Sequence, residues 1–294
     1  MSSVYRERNS RYLYLNTRGQ WYVFDTLSPP LGFGAVGIVY IGYNVSNNCP
    51  VAIKMVRPEY SGIPFVRERA KTEAQLTFLH PNIVRMLGLC EESGDYGSIY
   101  LVSEFVNGQT FDAYSKSTLS YLPQVDRITS VLSYSISVIE ALEYVHTAGV
   151  IHRDVKPSNI MVTYEGVPKL MDLGIAGLVN SDKLDGNEFM GTALYAAPEL
   201  IKGESIDRRT DIYAMGVTIF EMLAGYNPFS APSQDEILAN QCSKRLPEVE
   251  SIPPELMIIL RRSTEKKKLR RYQRAKQFAE DLKDFLFNYA PNPI

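Results

Sequence analysis

The chain has 294 residues, 45% of them apolar and 22% charged, with a formal net charge of −2. That is enough for two lobes with separate cores, and the near-neutral balance gives no general pull toward nucleic acid or an anionic membrane. Cys49, Cys90 and Cys242 lie far apart and form no ligand spacing, which argues against a disulfide framework or a zinc site and leaves buried free thiols as the expectation.

In chain order, Met1 to Ser10 is polar and lacks an apolar leader core, so a cytoplasmic location is expected. Residues 31–56 carry β-branched and aromatic runs broken by glycines, Ile38 to Ile41 and Val51 to Val56, which read as paired strands. Phe65 to Leu79 has helical spacing and is closed by His80-Pro81-Asn82. Ile83 to Cys90 and Ile99 to Val106 read as two further strands joined by a turn from Glu91 to Asp95. Beyond Asn107-Gly108 the pattern turns helical: Val125 to His146, Asp211 to Ala224, Pro254 to Ser263 and Ala275 to Tyr289. Short strands at Ile160 to Thr163 and Pro168 to Met171 lie between the first two. The most apolar helical stretch, Ile212 to Gly225, is shorter than the roughly 20 residues a bilayer needs, so no membrane segment is expected. A small sheet-rich lobe joined near Ser103 to Gly108 to a larger helical lobe follows, an α+β architecture.

Chemistry concentrates in four places. Ile151 to Asn159 reads Ile-His-Arg-Asp-Val-Lys-Pro-Ser-Asn, with Arg153, Asp154, Lys156 and Asn159 on one stretch that Pro157 keeps out of a helix. Those groups suit a site that handles an anion and its counter-charges. Gly32-Phe33-Gly34-Ala35-Val36-Gly37 would let the backbone approach a polyphosphate, and the strands around it favour strand–turn–strand over a dinucleotide fold. Lys54 closes an apolar strand, where a lysine is unfavourable unless paired; Glu73 is the candidate partner and Glu68 the alternative. Asp172 stands at a strand end before Gly174, a position suited to a magnesium ligand.

Taken together, the glycine loop, Val51-Ala52-Ile53-Lys54, His152-Arg153-Asp154, Asp172-Leu173-Gly174 and Ala197-Pro198-Glu199 resemble the protein serine/threonine kinase family in kind and in order. The form of the catalytic string looks more like bacterial kinases of eukaryotic type than a specialised animal family. The resemblance implies one catalytic domain over 1–294, with an N-lobe over 1–105 and a C-lobe over 106–294 in the bilobal kinase fold. It implies ATP with Mg2+, or Mn2+ in its place, bound between the lobes, and transfer of the γ-phosphoryl group to Ser/Thr hydroxyls of protein substrates, autophosphorylation included. It assigns Asp154 to the attacking hydroxyl, Lys156 to the γ-phosphoryl group, and Asn159 and Asp172 to the metal. Lys54 would hold the α- and β-phosphates, anchored by Glu73. Gly32, Phe33, Gly34, Ala35 and Gly37 would cover the phosphates. Val39, Ala52 and Met161 would sandwich adenine beside the hinge residues Glu104 and Val106, with Ser103 as a small gatekeeper. A pseudokinase scaffold and a small-molecule phosphotransferase are the rival readings.

Further matches concern support. Asp211 begins a helix similar to the one beneath the family's catalytic loop, with Tyr213 in place of the usual tryptophan, and Arg271 looks like the partner of Glu199. The basic run Lys266 to Arg274 is accordingly expected to be a solvated loop plus that one buried arginine. Glu188 stands where relatives carry an activating phosphothreonine and could pair with Arg153. Activity without phosphorylation of this segment is the resulting expectation, which a rate unchanged by phosphatase treatment would bear out. Ser158 and Thr110 suggest no strong preference for arginine upstream of the target.

Overall fold

The computed structural model describes residues 3–6, 10–34, 36–92, 97–173 and 193–290; Ala35 and Glu188 lie outside them. Backbone contacts divide the described residues into two compact units, one up to Asn107 and one from Gly108 onward.

In the first unit, β1 (Ser3–Arg6), β2 (Tyr12–Thr17), β3 (Gln20–Asp25), β5 (Gly37–Asn44), β6 (Pro50–Val56), β7 (Met86–Glu91) and β8 (Ile99–Glu104) form an antiparallel sheet. Its order is β1-β2-β3-β5-β6-β8-β7, and the short β4 (Gly32–Phe33) pairs with β5. Two helices, α1 (Pro58–Ser61) and α2 (Pro64–Gln75), connect β6 to β7. Register decides what each face does. Val39 lies opposite Lys54 and Ala52 opposite Ser103. Since side chains alternate along a strand, Val39, Ala52, Lys54 and Ser103 share one face. Farther along that face Val56, Ile99 and Leu101 pack against Val66, Ala70 and Ala74 of α2. The opposite face buries Val51, Ile53, Tyr100 and Val102 against Leu13, Leu15, Tyr22 and Phe24. Full burial of a side chain of this kind contributes about 1.5–3 kcal/mol.

The sequence reading places no strand before residue 31, whereas the structure has three. The signal is a period of two: Leu13 and Leu15 point into the core while Tyr12 and Tyr14 alternate with them. Helix α2 begins with Pro64 at its first position, where the missing N–H is no loss. It stops at Gln75 rather than running to Leu79, because Leu76 turns extended and closes its N–H on the Glu73 carbonyl. Cys49 is exposed, against the expectation of buried thiols; Cys90 is buried.

The second unit opens with β9 (Gly108–Thr110) and α3 (Phe111–Ser117), followed by the long helix α4 (Gln124–Thr147). After β10 (Ile160–Thr163) and β11 (Pro168–Leu170) come α5 (Pro198–Ile201), α6 (Arg209–Ala224), α7 (Gln234–Ser243), α8 (Pro254–Ser263) and α9 (Ala275–Tyr289). Strand β10 is the middle of a three-stranded sheet with β9 and β11. Helix α4 buries Ile128, Val131, Leu132, Ser135, Val138, Ile139, Leu142 and Val145, an i, i+3, i+4 stripe. By length and composition it is also the one helix among the described residues that could cross a bilayer, whereas the sequence reading takes Ile212 to Gly225 as the most apolar helical stretch and finds it too short. More than half of its apolar window is buried inside the unit, as in the core helix of a folded domain. Helix α6 is buried nearly all round, from Thr210 to Leu223, so its polar groups must find partners inside the protein.

Candidate active site

The string from Ile151 to Asn159 hangs from the end of α4. Gly149 takes a φ of +77°, and the N–H groups of Gly149 and Val150 bond the carbonyls of His146 and Val145 at 3.1 and 3.0 Å. That Schellman closure turns the chain sharply into Ile151. Asp211 of α6, fully buried, then fixes it from inside. Its Oδ2 accepts the His152 N–H at 2.8 Å and His146 Nε2 at 2.7 Å, and its Oδ1 accepts the Arg153 N–H at 2.8 Å. Arg153 is held at a φ of +71°, a strained conformation for a side chain of this size. A paired set of bonds to one buried carboxylate is what over-determines such a strain.

Three predicted residues meet there. Lys156 Nζ and Asn159 Nδ2 both lie 2.8 Å from Asp154 Oδ2, and Asn159 Nδ2 also donates to the Asp154 carbonyl at 2.8 Å. Both amide hydrogens of Asn159 are thereby committed, so its Oδ1 is the atom a cation would use. Asp154 and Asn159 are buried. The strand leading to Asp172 is tied to the same loop. Met171 N–H donates to the Asn159 carbonyl at 2.9 Å, and the Met171 carbonyl accepts from His152 Nε2 at 2.8 Å. Asp172 itself has a φ of +57°, a second positive-φ carboxylate-bearing turn beside the first. Among the described residues no group of three His, Cys, Asp or Glu side chains stands ready to hold an ion alone. Magnesium does not need one, since it is commonly held by one or two protein oxygens together with water and phosphate.

In the first unit, the antiparallel pairing of Gly32 with Val39 and Phe33 with Ile38 makes the glycine segment a strand–turn–strand. A Cβ on Gly37 would sit 2.9 Å from the Met55 carbonyl, so the loop comes close to β6 only because this residue has no side chain. Glu73 is buried on the side of α2 that faces the sheet, and Glu68 is exposed.

The sequence pattern of the family described as "Protein kinase domain" matches residues 26–291. The chain belongs to the protein kinase family. It is 34% identical over 267 residues to a probable serine/threonine-protein kinase of Streptomyces coelicolor, covering 87% of this chain and 39% of that protein. It is 30% identical over 260 residues to the serine/threonine-protein kinase PrkC of Bacillus subtilis, covering 86% and 39%. The chain thus spans well under half the length of these curated relatives. A mutant form of the Mycobacterium tuberculosis PknI kinase domain superposes with a TM-score of 0.68 at 25% identity, covering 87% of this chain and 92% of that one. The relatives are bacterial, as the form of the catalytic string suggests.

The kinase domain also shows how residues 193–199 are held. Glu199 of α5 and Arg271 form a buried two-pronged ion pair at 2.7 and 2.8 Å, as expected. Just upstream, the carbonyls of Ala193 and Leu194 accept from Gln241 Nε2, while Asn227 Nδ2 also reaches the Leu194 carbonyl at 3.3 Å. Tyr195 donates to Glu221 at 2.7 Å; burial and that carboxylate push its hydroxyl far above the usual tyrosine range. Gln241 in turn accepts from the Tyr213 hydroxyl, and Tyr213 accepts from Lys266 Nζ at 2.7 Å. Gln241, Asn227 and Glu221 carry no sequence signal of this role.

Lys266 corrects the expectation of a solvated basic loop. Its ammonium lies against the rings of Phe229 and Tyr213, and burial, then the charge of Arg271, push its pKa down to about 7; Glu265 and Cys242 pull weakly the other way. The unfolded chain therefore binds the extra proton between about pH 7 and the ordinary lysine value of 10.5, so stability rises with pH across that interval. Cys90, pushed by burial to about 12 from 9.0, acts in the opposite sense above pH 9. The clean window is about pH 7 to 9, where Lys266→Met should flatten the rise in denaturant midpoint. An unchanged slope in the variant would remove Lys266 as its source.

Proposed function

We propose that this chain is the catalytic domain of an active serine/threonine-protein kinase that uses Mg-ATP, with Mn2+ as the alternative ion. The observation that carries the reading is the cluster Asp154, Lys156 and Asn159 at 2.8 Å, with Asp154 and Asn159 buried and the loop braced by Asp211. A scaffold has no need for a buried carboxylate held between an ammonium and an amide. Asn159 Oδ1 and the Asp172 carboxylate are the hard oxygens that would hold the ion. Bound magnesium supplies charge neutralisation at the phosphate oxygens. The protein's own groups do the rest. Lys54, steadied by Glu73, orients the α- and β-phosphates, and Lys156 faces the charge that builds on the γ-phosphoryl group. Asp154 orients the substrate hydroxyl. As the new O–P bond forms and the β–γ bridging bond breaks, it takes the hydroxyl proton. Since phosphoryl transfer depends mainly on position and charge, these groups suffice.

Incubation with γ-labelled ATP and a mixed protein substrate, followed by mass mapping, tests the reading. Label on serine and threonine, on the substrate and on the chain itself, is expected. Nucleotide binding without transfer would favour a scaffold, and transfer to a small molecule alone would favour the other rival.

Ser103 bears on nucleotide and inhibitor choice. Its neighbour across the strands is Ala52, so two small residues lie side by side on the face that carries Lys54. ATP-competitive inhibitors with a bulky group behind adenine should lose about tenfold or more in affinity in Ser103→Met, a steric penalty of ~1–3 kcal/mol, while ATP binding persists. Equal inhibitor affinities in the two proteins would sink the assignment.

A further inference from the structure

Helix α2 carries Glu73 in its last turn, and no basic side chain lies in that turn to meet the helix's negative end. The Glu73 carbonyl is taken by the Leu76 N–H at 3.0 Å. The next carbonyl, that of Ala74, accepts instead from the guanidinium of Arg18 at 2.7 Å, across 56 residues of sequence. Arg18 sits at the tip of the β2–β3 hairpin, whose pairing leaves only Arg18 and Gly19 in the turn. Both have positive φ, +51° and +76°. Asn-Gly is the pair that favours such a turn, and arginine is a poor choice for its first position. The chain therefore accepts backbone strain at a place from which a guanidinium reaches the end of α2.

The hairpin is also firmly seated. Thr17 lies against Gly88 of β7 so closely that a Cβ on Gly88 would fall 2.2 Å from the Thr17 hydroxyl. Cys90 Sγ donates to the Asn16 carbonyl at 3.2 Å. Strands β1 to β3 precede residue 26, where the match to the family begins. A rigid element outside that match thus grips the end of the helix that carries the lysine's proposed partner.

We propose that Arg18 is a positioning residue: the N-terminal hairpin sets the last turn of α2, and through it Glu73, at the place from which Glu73 steadies Lys54. This rests on the reading of Glu73 given above. The helix position is one of the two conditions on which phosphate alignment in kinases depends.

The test compares Arg18→Asn, Arg18→Lys, Glu73→Gln and the double variant Arg18→Asn/Glu73→Gln in the full chain. Asparagine suits the turn at least as well as arginine, so the hairpin and the melting temperature should survive in R18N. Amide exchange in the last turn of α2 should nevertheless quicken about fivefold, and KM for ATP should rise by a similar factor with a smaller change in kcat. R18K should recover part of both effects, and R18N should add nothing in the E73Q background. Wild-type exchange and kinetics in R18N would overturn the proposal, as would a general loss of stability that R18K fails to recover. Wild-type activity in E73Q would instead overturn the reading of Glu73 and with it the coupling to catalysis. Exchange in α2 would then still decide whether Arg18 holds the helix.

Discussion

Asp154→Asn should lower kcat by about 10³-fold while ATP still binds and the fold persists. The substitution keeps the shape of the side chain and removes its charge and its capacity to take a proton. Asp154 Oδ2 is already engaged by Lys156 and Asn159, each at 2.8 Å. Among the described residues, those contacts leave Oδ1 as the oxygen that can meet a substrate hydroxyl. An asparagine can keep its oxygen toward Lys156 and Asn159 only by presenting its NH2 group where Oδ1 stood. The hydroxyl would then face a donor rather than an acceptor. The loss therefore belongs in kcat, with KM for ATP within about threefold of wild type, as expected when an interaction made only in the transition state is removed. Single-turnover transfer at saturating ATP, read beside a nucleotide-binding isotherm, separates the two. A residual rate above a tenth of wild type would mean that Asp154 neither orients nor deprotonates the hydroxyl.

The proposed reacting groups were legible because phosphoryl transfer demands particular side chains at short, fixed spacings. Asp154, Lys156 and Asn159 fall within six residues of one another and could be named without a fold. Glu73 needed more. It lies on the stripe Val66, Ala70, Glu73, Ala74 that α2 buries, and Glu68 falls off that stripe; the helical period alone separates the two carboxylates. What supports the site was harder to see. Gln241 is a fully buried polar residue in a helix, and nothing in its neighbours marks it from a surface glutamine until tertiary packing sets it beneath Ala193 and Leu194. Lys266 stands in a basic run, so local composition points to solvent, and only the rings of Tyr213 and Phe229 reveal that its ammonium is half-buried. The N-terminal strands were missed for a related reason. Exposed or half-buried tyrosines alternate there with buried leucines, which blurs the polar–apolar contrast on which period-two readings depend. Chemistry fixes residue types locally, whereas burial is a property of the whole chain.

Glu199→Gln should destabilise the kinase domain by about 3–5 kcal/mol, the usual effect of leaving one partner of a buried ion pair uncompensated. Few groups here are as fully committed. Arg271 donates from Nε to the Glu265 carbonyl at 2.6 Å, and from its two terminal nitrogens to both Glu199 oxygens and to the carbonyls of Arg209 and Lys266. Its guanidinium lies 4.8 Å from the centre of the Tyr213 ring. Glu199 also accepts from Thr210 Oγ1 at 2.9 Å. Burial opposes the charge on Glu199, but the hydrogen bonds and charge of Arg271 outweigh it and hold the carboxyl below its usual range. The sign follows: this stabilisation is full above the unfolded carboxylate pKa and is lost as pH falls through the lower, folded one. E199Q should therefore lose that part of the wild-type acid limb as well as midpoint stability. Replacing both partners, as Glu199→Gln with Arg271→Met, should cost less than E199Q alone, because no charge is then stranded. Arg271 also links this pair to Lys266, whose pKa its charge already depresses. Without Glu199 the two cations face each other uncompensated, so Lys266 should titrate lower still and the rise in stability should begin below pH 7. Denaturant titrations of E199Q and of the double variant between pH 4 and 9 measure all of these shifts together. A loss in E199Q below about 1 kcal/mol would show that the pair is solvated and that neither Arg271 nor Lys266 depends on Glu199 for its charge.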